Sequence, residues 1–468
     1  MEMMERCVNT AIDNIAALSG ELGGEAEAMR DSLTAPPRVV VVGRLKAGKS
    51  TLVNALIGAP VSETAALEAT NVVTVFQYGA PDRAEAVLKD GSRIPITTMR
   101  GQKTELPVPA NTIAYVNRWI TSSAVRDYSL IDTPGLATLT ESNEGATRAA
   151  LLDEQTRSAS VEADAAIFLF DSVPRRDEVD FLHELGFTPL NTLGILSRAD
   201  SFGEGALGAK DPLVHAAEYS GILQEELADY LPTVMPVAGL LAETAYTGRV
   251  NEAMARALSQ YQSVGIPELL TSLVAPDSPM KKTAMQLMGS VGEYGFIKGR
   301  DVAQQGGAEL SDWLVEKSNL NLVREYLLET LTPFAQLHRA GRVVRTMESL
   351  AYRYGDHRNE IRSIVSRLKK DPRMISVMLF QDLKSLLEVD AQDELLQEVI
   401  RMIKGRSYGQ KLGLSRFASG YDILEAVRQR KAWLSGLSLT FLSAAEEAAI
   451  FNLNRIYVEL ENAGEALT

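Results

Sequence analysis

The chain has 468 residues, of which 46% are hydrophobic, and this length and composition predict a soluble globular protein of two or three domains. Its formal net charge of -14 argues against a general nucleic-acid binder. A single cysteine, Cys7, excludes an internal disulfide and favours the reducing cytoplasm, and no uncharged apolar run reaches the roughly 20 residues that cross a bilayer.

Short strands and helices alternate over the first half of the chain. Residues 5–33 have apolar residues at helical spacing and stop before Pro36, which predicts one amphipathic helix ahead of the first strand. Apolar, β-branched segments then predict strands at residues 38–42, 72–78, 84–88, 128–131, 165–170, 193–196 and 233–237. Alternation with helical segments predicts an α/β domain, in which helices cover both faces of a mostly parallel sheet.

The first predicted strand leads into a phosphate-binding motif. Residues 43–50 fit the pattern G-x-x-x-x-G-K-[ST], and a helical segment follows. In this motif backbone N–H groups surround the phosphates, the lysine reaches the β- and γ-phosphates, and the serine hydroxyl ligates Mg2+. We therefore predict a nucleoside triphosphate site, with Lys49 on the phosphates and Ser50 on the metal. The residues assigned to nucleotide binding here are Gly43, Arg44, Lys46, Ala47, Gly48, Lys49, Ser50 and Thr51.

The predicted strand at 128–131 leads into a second motif, Asp132-Thr133-Pro134-Gly135. An aspartate at this position holds Mg2+ through water, and a glycine lets a backbone N–H approach the γ-phosphate. We therefore assign Asp132 to the metal and Gly135 to the nucleotide.

A threonine that contacts Mg2+ and orients the attacking water is also expected. The candidates upstream of the second motif are Thr64, Thr70 and Thr74. We select Thr70, because it immediately precedes the predicted strand at 72–78, where a loop joins a fixed element. No glutamine follows Gly135 closely, at the position that orients water in small GTPases. Catalysis is therefore assigned to Lys46, Lys49 and Thr70, and basal hydrolysis is predicted to be slow and to increase on self-association.

The segment Ser197-Arg198-Ala199-Asp200 corresponds to the [NT]-K-x-D element that selects guanine. The aspartate of that element accepts hydrogen bonds from the guanine N1–H and exocyclic amine. Serine and arginine replace the usual first two residues, so relaxed base selectivity remains the alternative to strict GTP binding. Backbone groups after the next predicted strand are assigned to complete the base pocket, at Val237, Ala238 and Gly239.

Helical periodicity continues from about residue 241 to the C-terminus. Residues 334–370 are predicted as one helix, or as two with a break at Gly355-Asp356, and further helices are predicted at 374–404 and 421–462. These helices have no sheet to cover. They are therefore predicted to pack on each other and on the helix at 5–33 as a stalk.

Together these segments resemble the bacterial dynamin-like proteins. Within that family the chain is most similar to the isoniazid-inducible Ini proteins of mycobacteria, as the shorter partner of that pair. The resemblance is carried by the long helices and by G-R-L-K-A-G-K-S at 43–50, T-N-V-V-T-V at 70–75, D-T-P-G at 132–135 and L-S-R-A-D at 196–200.

The resemblance implies three parts: residues 1–35 as a helix that joins the stalk, 36–332 as a dynamin-type GTPase domain, and 333–468 as the stalk. It implies that GTP hydrolysis drives stalk motion and remodels a membrane by fission, fusion or tethering. The implied partners are an anionic lipid membrane, other copies through GTPase domains or stalk, and a second dynamin-like protein. The implied location is peripheral, at the inner face of the plasma membrane, and no nucleic-acid partner is expected.

A membrane-binding tip is predicted at the turn near Pro372, since basic residues beside apolar ones suit an anionic bilayer. The residues assigned to it are Arg367, Lys369, Lys370, Arg373, Met374 and Ile375. If Gly355-Asp356 is a full turn, the tip shifts to residues 404–416, which contain Lys404, Arg406, Lys411 and Arg416. Two other functions stay open: a ribosome- or RNA-associated assembly GTPase, and a regulatory GTP switch with slow turnover.

Overall fold

The computed structural model describes residues 2–44, 46–61, 72–97, 106–133, 163–228, 230–274, 279–389, 391–438 and 441–468. The chain forms two compact units. The sheet unit consists of Pro36–Val179 and Asn191–Thr332, and the helical unit of Met1–Ala35, Asp180–Leu190 and Pro333–Thr468. The sequence prediction placed domain boundaries after residues 35 and 332 and gave all residues between them to one domain. The segment Asp180–Leu190 differs, because it belongs to the helical unit although it lies between two strands of the sheet unit.

Nine strands of the described residues form one sheet. They are β1 (Arg38–Gly43), β2 (Thr74–Tyr78), β3 (Arg83–Leu88), β4 (Arg93–Ile96), β5 (Ile113–Ile120), β6 (Ser129–Asp132), β7 (Ala165–Phe170), β8 (Thr192–Ser197) and β9 (Val234–Val237). Their order is β4-β3-β5-β2-β6-β1-β7-β8-β9. Strands β6, β1, β7, β8 and β9 are parallel, as are β2 and β5, whereas β2 is antiparallel to β6 and β3 to both β4 and β5. The predicted mostly parallel sheet is confirmed, and β4 and β5 are additions that the sequence did not predict.

The helices alternate with these strands and then continue alone. In chain order they are α1 (Glu2–Ala16), α2 (Gly20–Thr34), α3 (Lys49–Ile57), α4 (Arg176–Glu184), α5 (Pro212–Glu226), α6 (Gly239–Tyr246), α7 (Glu252–Ser259), α8 (Ile266–Val274), α9 (Pro279–Val302), α10 (Gly307–Ser318), α11 (Leu320–Tyr326), α12 (Thr332–Arg353), α13 (Arg358–Lys370), α14 (Ile375–Glu388), α15 (Asp393–Lys404), α16 (Tyr408–Lys411), α17 (Gly420–Leu437) and α18 (Ala444–Ala466). A π-helical turn, Leu327–Leu331, joins α11 to α12 directly before the unit boundary.

The central strands are buried on both faces. Every residue of β7 and β8 is buried, as are Val40, Val41 and Val42 of β1. Continuous apolar strands of this kind are typical of parallel sheets that helices cover on both sides. Because β6, β1, β7, β8 and β9 run in one direction, the segments that follow them meet at one edge of the sheet.

The helical unit contains more turns than the sequence predicts. The single helix expected at 5–33 is two helices, α1 and α2, and Ser19 caps the start of α2, where its side chain accepts the N–H of Leu22. The passes expected at 374–404 and 421–462 are likewise two helices each, α14 with α15 and α17 with α18. The expected break at Gly355-Asp356 is present between α12 and α13. Ser19 and Ser443 cap the starts of α2 and α18 and satisfy free N–H groups there, whereas no side chain caps the start of α15.

Candidate nucleotide-binding site

The phosphate motif lies between β1 and α3, as the sequence predicts. A Cβ atom on Gly43 would lie 2.2 Å from the carbonyl oxygen of Leu169 on β7, so only glycine lets the chain leave β1 this close to its neighbour. Gly48 has φ 98° and directly precedes α3. The N–H groups of the first turn of α3 therefore face the loop, where they stabilise negative charge. Leu45 lies outside the described residues.

Lys49 is the buried cation of this loop. Lys49 is 7% exposed, and its Nζ donates to the carbonyl oxygens of Gly43 and Arg44, at 2.9 Å each. Burial lowers the pKa of Lys49 to about 8, and the charge of Asp132 partly opposes that shift. The structure thus brings Lys49 into electrostatic contact with the acid that the sequence assigns to the metal.

We expect GTP affinity to fall as the pH rises above about 8. Phosphate oxygens favour the charged ammonium of Lys49, so its pKa rises on binding. At about pH 7 the free protein already holds this proton, whereas above pH 8 binding must take one up. The dissociation constant then increases by up to about tenfold per pH unit.

Calorimetry between about pH 7 and 9, in buffers that differ in ionisation enthalpy, counts the protons taken up on binding. Lys46→Gln is the matched control, because Lys46 is exposed and its loss should leave the proton uptake unchanged. A dissociation constant that does not change over this range would contradict the assignment of the proton to Lys49.

Asp132 ends β6, directly beside β1. The two strands pair in register, with Val41 opposite Asp132, and the Thr133 hydroxyl donates to the Val41 carbonyl at 2.7 Å. Ser50 lies in the first turn of α3 and is half-buried. One carboxylate and one hydroxyl at a phosphate loop suit Mg2+, which keeps waters and phosphate oxygens as its other ligands. The two remaining predicted contacts, Thr70 and Gly135, lie outside the described residues.

A hydrogen bond from the side chain of Arg198 connects the base-recognition segment to the backbone of the phosphate loop. Arg198 follows β8, and its Nη2 donates to the carbonyl oxygen of Lys46 at 2.7 Å. Arg198 and Lys46 have φ of 55° and 63°, and among the described residues Asn319 is the third non-glycine residue with positive φ. Such conformations cost about 1–3 kcal/mol each and cluster at functional sites. The arginine that replaces the usual lysine therefore holds the two motifs together.

The predicted base pocket is buried and polar. Asp200 is 8% exposed, and burial raises the pKa of its carboxyl group, with Arg198 opposing that shift. The hydroxyl of Ser197 is buried and makes no hydrogen bond to the described part of the chain. Val237 pairs with Ser197 across β8 and β9, and the buried Ala238 and half-buried Gly239 follow it. These residues form a site in which a base edge could satisfy buried polar groups.

Arg44 has a partner that the sequence does not reveal. Its guanidinium forms an ion pair with Glu178 of α4, with Nη2 at 2.6 Å from Oε2, and Nη1 donates to Ser172 at 2.8 Å. Glu178 is buried, which strengthens the pair. Arg44 therefore anchors the phosphate loop to the segment that follows β7.

The far end of α3 is anchored as well. Asn54 donates to Glu243 of α6 at 2.9 Å, and both side chains are buried. Arg324 of α11 donates to the carbonyl oxygens of Ala55 and Leu56, at 2.9 and 3.0 Å, and its guanidinium lies 4.0 Å from the ring centre of Tyr246. Arg324 thus satisfies carbonyl groups that a helix end leaves free. The helix that follows the phosphate loop is fixed between α6 and α11.

The predicted membrane tip near Pro372 does not have the expected apolar surface. Met374 and Ile375 are buried in the core of the helical unit. Lys369 pairs with Glu348, and Arg373 pairs with Asp371 at 2.6 Å. The remaining basic residues of the assignment are exposed, namely Arg367 and Lys370. This placement does not support insertion of the turn into a bilayer, because its apolar side chains already hold the unit together.

The alternative tip at 404–416 and the residues that follow it carry exposed aromatic side chains. Tyr408, Phe417 and Tyr421 are 51%, 79% and 74% exposed. The guanidinium of Arg416 lies 4.3 Å from the ring centre of Phe417. We call residues 404–421 the basic loop, since they contain four lysine or arginine residues and no acidic residue.

Comparison with known proteins gives a family for these motifs. Residues 39–186 match the model of the dynamin family. The isoniazid-induced protein IniC of Mycobacterium tuberculosis, in two strains, is 33% identical over 289 residues, which are 56% of this chain and 56% of the relative. IniA of the same species is 41% identical over 73 residues, which are 15% of this chain and 11% of that relative. The chain therefore spans about half the length of the IniC relatives that it matches.

Among solved structures, a chain of an oligomerised bacterial dynamin pair aligns with 99% of this chain and 75% of its own length, at 16% identity and a TM-score of 0.30. That TM-score is low, so the family assignment rests on the sequence matches and on the motifs at the edge of the sheet. The resemblance predicted from the sequence is confirmed: the chain carries a dynamin-family GTPase domain and is similar to the Ini proteins.

Proposed function

We propose that the chain hydrolyses GTP to GDP and phosphate, and that the nucleotide state moves the helical unit to remodel a membrane by fission, fusion or tethering. One observation carries the proposal. The phosphate loop, Asp132 and the segment 197–200 follow parallel strands of one sheet, β1, β6 and β8, and therefore meet at one edge. The match to the dynamin family over residues 39–186 supports the same reading.

In this proposal each polar residue of the edge has one task. Lys49 neutralises the β- and γ-phosphates, and Arg44 keeps the loop in place through Glu178. Ser50 and Asp132 would hold Mg2+, together with Thr70, and the bound ion would neutralise charge that develops on the phosphates. Asp200 selects guanine.

Lys46 is the residue of the loop that we assign to the reaction itself. Its side chain is exposed, its backbone has positive φ, and its carbonyl oxygen accepts a hydrogen bond from Arg198. A charge at this position can reach the γ-phosphate when a second molecule covers the site and excludes water. We therefore propose slow basal turnover that increases on self-association, either between GTPase domains, through the helical unit, or with a second dynamin-like protein.

The proposed membrane contact is the basic loop of the helical unit. Lys384 of α14 lies 3.3 Å from His338, and Arg339 donates to Leu33, so α14 runs toward the end at which the chain enters this unit. Helix α15 follows α14 and packs beside α18, where Glu398 accepts a hydrogen bond from the Tyr457 hydroxyl, and the basic loop follows α15. Each cation near an anionic surface contributes about 1 kcal/mol, and tyrosine and phenylalanine favour the membrane interface. The loop therefore fits an anionic bilayer.

Attachment of this kind is peripheral, and we propose the inner face of the plasma membrane as its location. Among the described residues, no helix has both the length and the apolar character needed to span a bilayer. The π-helical turn Leu327–Leu331 and the segment near Ala35 are the proposed hinge, since two of the four chain connections between the units lie there.

GTP turnover, measured with and without vesicles that contain anionic lipid, tests this proposal against its alternatives. We expect a severalfold increase with anionic vesicles and none with neutral ones. Binding of the chain to RNA at moderate salt is the companion measurement, and weak binding is expected from the net charge of -14. A GTP turnover rate that does not change with lipid, together with tight RNA binding, would favour an RNA-associated assembly GTPase. An undetectable turnover rate would favour a regulatory switch.

A further inference from the structure

A kink in α9 brings its backbone next to the base-recognition aspartate. Gly292 interrupts the helix with φ 68° and ψ 177°, a conformation that is open essentially to glycine alone. A Cβ atom at this position would lie 2.9 Å from Oδ2 of Asp200 and 3.7 Å from Leu240 of α6. The carboxylate of Asp200 therefore fits where it does because residue 292 has no side chain.

The kink is held in place from both sides. Oε1 of Glu293 accepts the backbone N–H of Ala206 at 3.1 Å, and the hydroxyl of Tyr294 donates to Asp211 at 3.3 Å. Ala206 and Asp211 belong to the segment between β8 and α5, directly downstream of Asp200. On the other side the hydroxyl of Thr244 in α6 donates to the carbonyl of Ser290. These contacts fix the kink to the two segments that form the predicted base pocket.

Base selection depends on the orientation of this one carboxylate. To accept both the N1–H and the exocyclic amine of guanine, the two oxygens of Asp200 must lie in the plane of the base. Asp200 is buried, so water cannot replace a contact that is lost when the carboxylate turns. A methyl group at residue 292 would push Oδ2 aside, because the end of a side chain moves more readily than a helix backbone does.

We propose that Gly292 is a positioning residue for guanine selection, which acts by leaving the space that the Asp200 carboxylate needs. The proposal rests on the assignment of Asp200 to the guanine base. It adds α9, a helix outside the known nucleotide motifs of this chain, to the determinants of substrate specificity.

The test compares the dissociation constants of GTP and ITP, which lacks the exocyclic amine, in the wild-type and Gly292→Ala proteins. We expect the preference of the wild type for GTP over ITP to shrink about tenfold in the variant, because the contact to the amine is lost. The affinity for ITP should change much less. Gly289→Ala is the matched control on the same helix, since no atom lies within 4 Å of a Cβ at that position.

A structural defect alone would weaken GTP and ITP equally, and an unchanged ratio in folded Gly292→Ala protein overturns the proposal. If that variant does not fold, Tyr294→Phe replaces it. This change removes one hydrogen bond that holds the kink and is expected to reduce the ratio about two- to threefold. A wild-type ratio in Tyr294→Phe would equally overturn the proposal.

Asp200→Asn separates this inference from the base assignment beneath it. If Asp200→Asn leaves the preference for guanine unchanged, the assignment of Asp200 fails and the role of Gly292 fails with it. If Asp200→Asn alters the preference and Gly292→Ala does not, the inference about Gly292 alone is wrong. In the double variant, alanine at residue 292 should have no further effect on the ratio, because the carboxylate that it displaces is gone.

Discussion

Lys49→Ala is expected to abolish GTP binding at nucleotide concentrations that saturate the wild-type protein. Lys49 is the buried cation of the phosphate loop, and its Nζ already lies against the loop carbonyls of Gly43 and Arg44. Hydrogen bonds between charged groups contribute about 1.5–3 kcal/mol each, so the loss of contacts to two phosphates lowers the affinity about 100-fold or more. Titration with a fluorescent GTP analogue measures this loss directly.

Lys46→Ala provides the control for this result within the same loop. Its side chain is exposed and is proposed to reach the γ-phosphate only when a second molecule covers the site, so we expect GTP affinity near that of the wild type, together with slower hydrolysis. Thermal unfolding of both variants, followed by circular dichroism, shows whether the fold persists. Retention of wild-type GTP affinity by folded Lys49→Ala protein would refute the role given to this lysine.

The centre of the sheet and the phosphate loop could be predicted because they depend on local pattern. The buried strands β7 and β8 are continuous apolar runs, and residues 43–50 carry the glycine spacing and the lysine within one short segment. Such features are set by neighbours along the chain. The structure therefore places the loop between a strand and a helix, as the motif requires.

Strands β4 and β5 lack a local signal of this kind. In β5 the buried residues are Ile113, Val116 and Ile120, a spacing that fits neither simple alternation nor a continuous run. Strand β4 contains Pro95, which is tolerated because the strand lies at the edge of the sheet. Both strands are stabilised by pairing with partners elsewhere in the sequence, and that pairing is visible only in the fold.

The helix breaks, in contrast, are marked in the sequence by capping residues, which interrupt an otherwise continuous apolar periodicity. Ser419 with Asp422 and Ser443 with Glu446 form capping boxes at the starts of α17 and α18. The pattern of serine followed three residues later by an acidic residue predicts a helix start. This pattern predicts a second helix start within the segment 421–462, whereas apolar periodicity alone predicts one continuous helix.

The anchors of the site could not be predicted, because their partners are distant in sequence. Arg44 and Glu178 are 134 residues apart, and Arg324 and Ala55 are 269 apart. Nothing near Arg44 distinguishes a residue that binds a distant carboxylate from one that contacts nucleotide. The same reason applies to Gly292, whose importance depends on its approach to Asp200 in the folded chain.

Reversing two charges of the basic loop, with Arg406→Glu/Arg416→Glu, is expected to weaken binding to anionic vesicles about 30-fold or more, because each cation contributes about 1 kcal/mol and each new carboxylate is repelled. Co-sedimentation with anionic vesicles measures the loss, and basal GTP hydrolysis should stay unchanged, since both residues belong to the helical unit. Binding of the wild-type chain should also weaken at high salt, because screening shortens the reach of these charges.

Arg367→Glu/Lys370→Glu is the matched control for the basic loop, since it makes the same charge change on two exposed residues of the same unit. We expect it to bind anionic vesicles nearly as well as the wild type, because the apolar residues of that turn, Met374 and Ile375, are buried in the core and cannot enter a bilayer. The opposite pattern, in which this control loses binding and Arg406→Glu/Arg416→Glu retains it, would move the membrane surface back to the turn near Pro372. Full retention by both variants would show that neither surface binds lipid, since two reversed charges cannot leave an electrostatic contact intact.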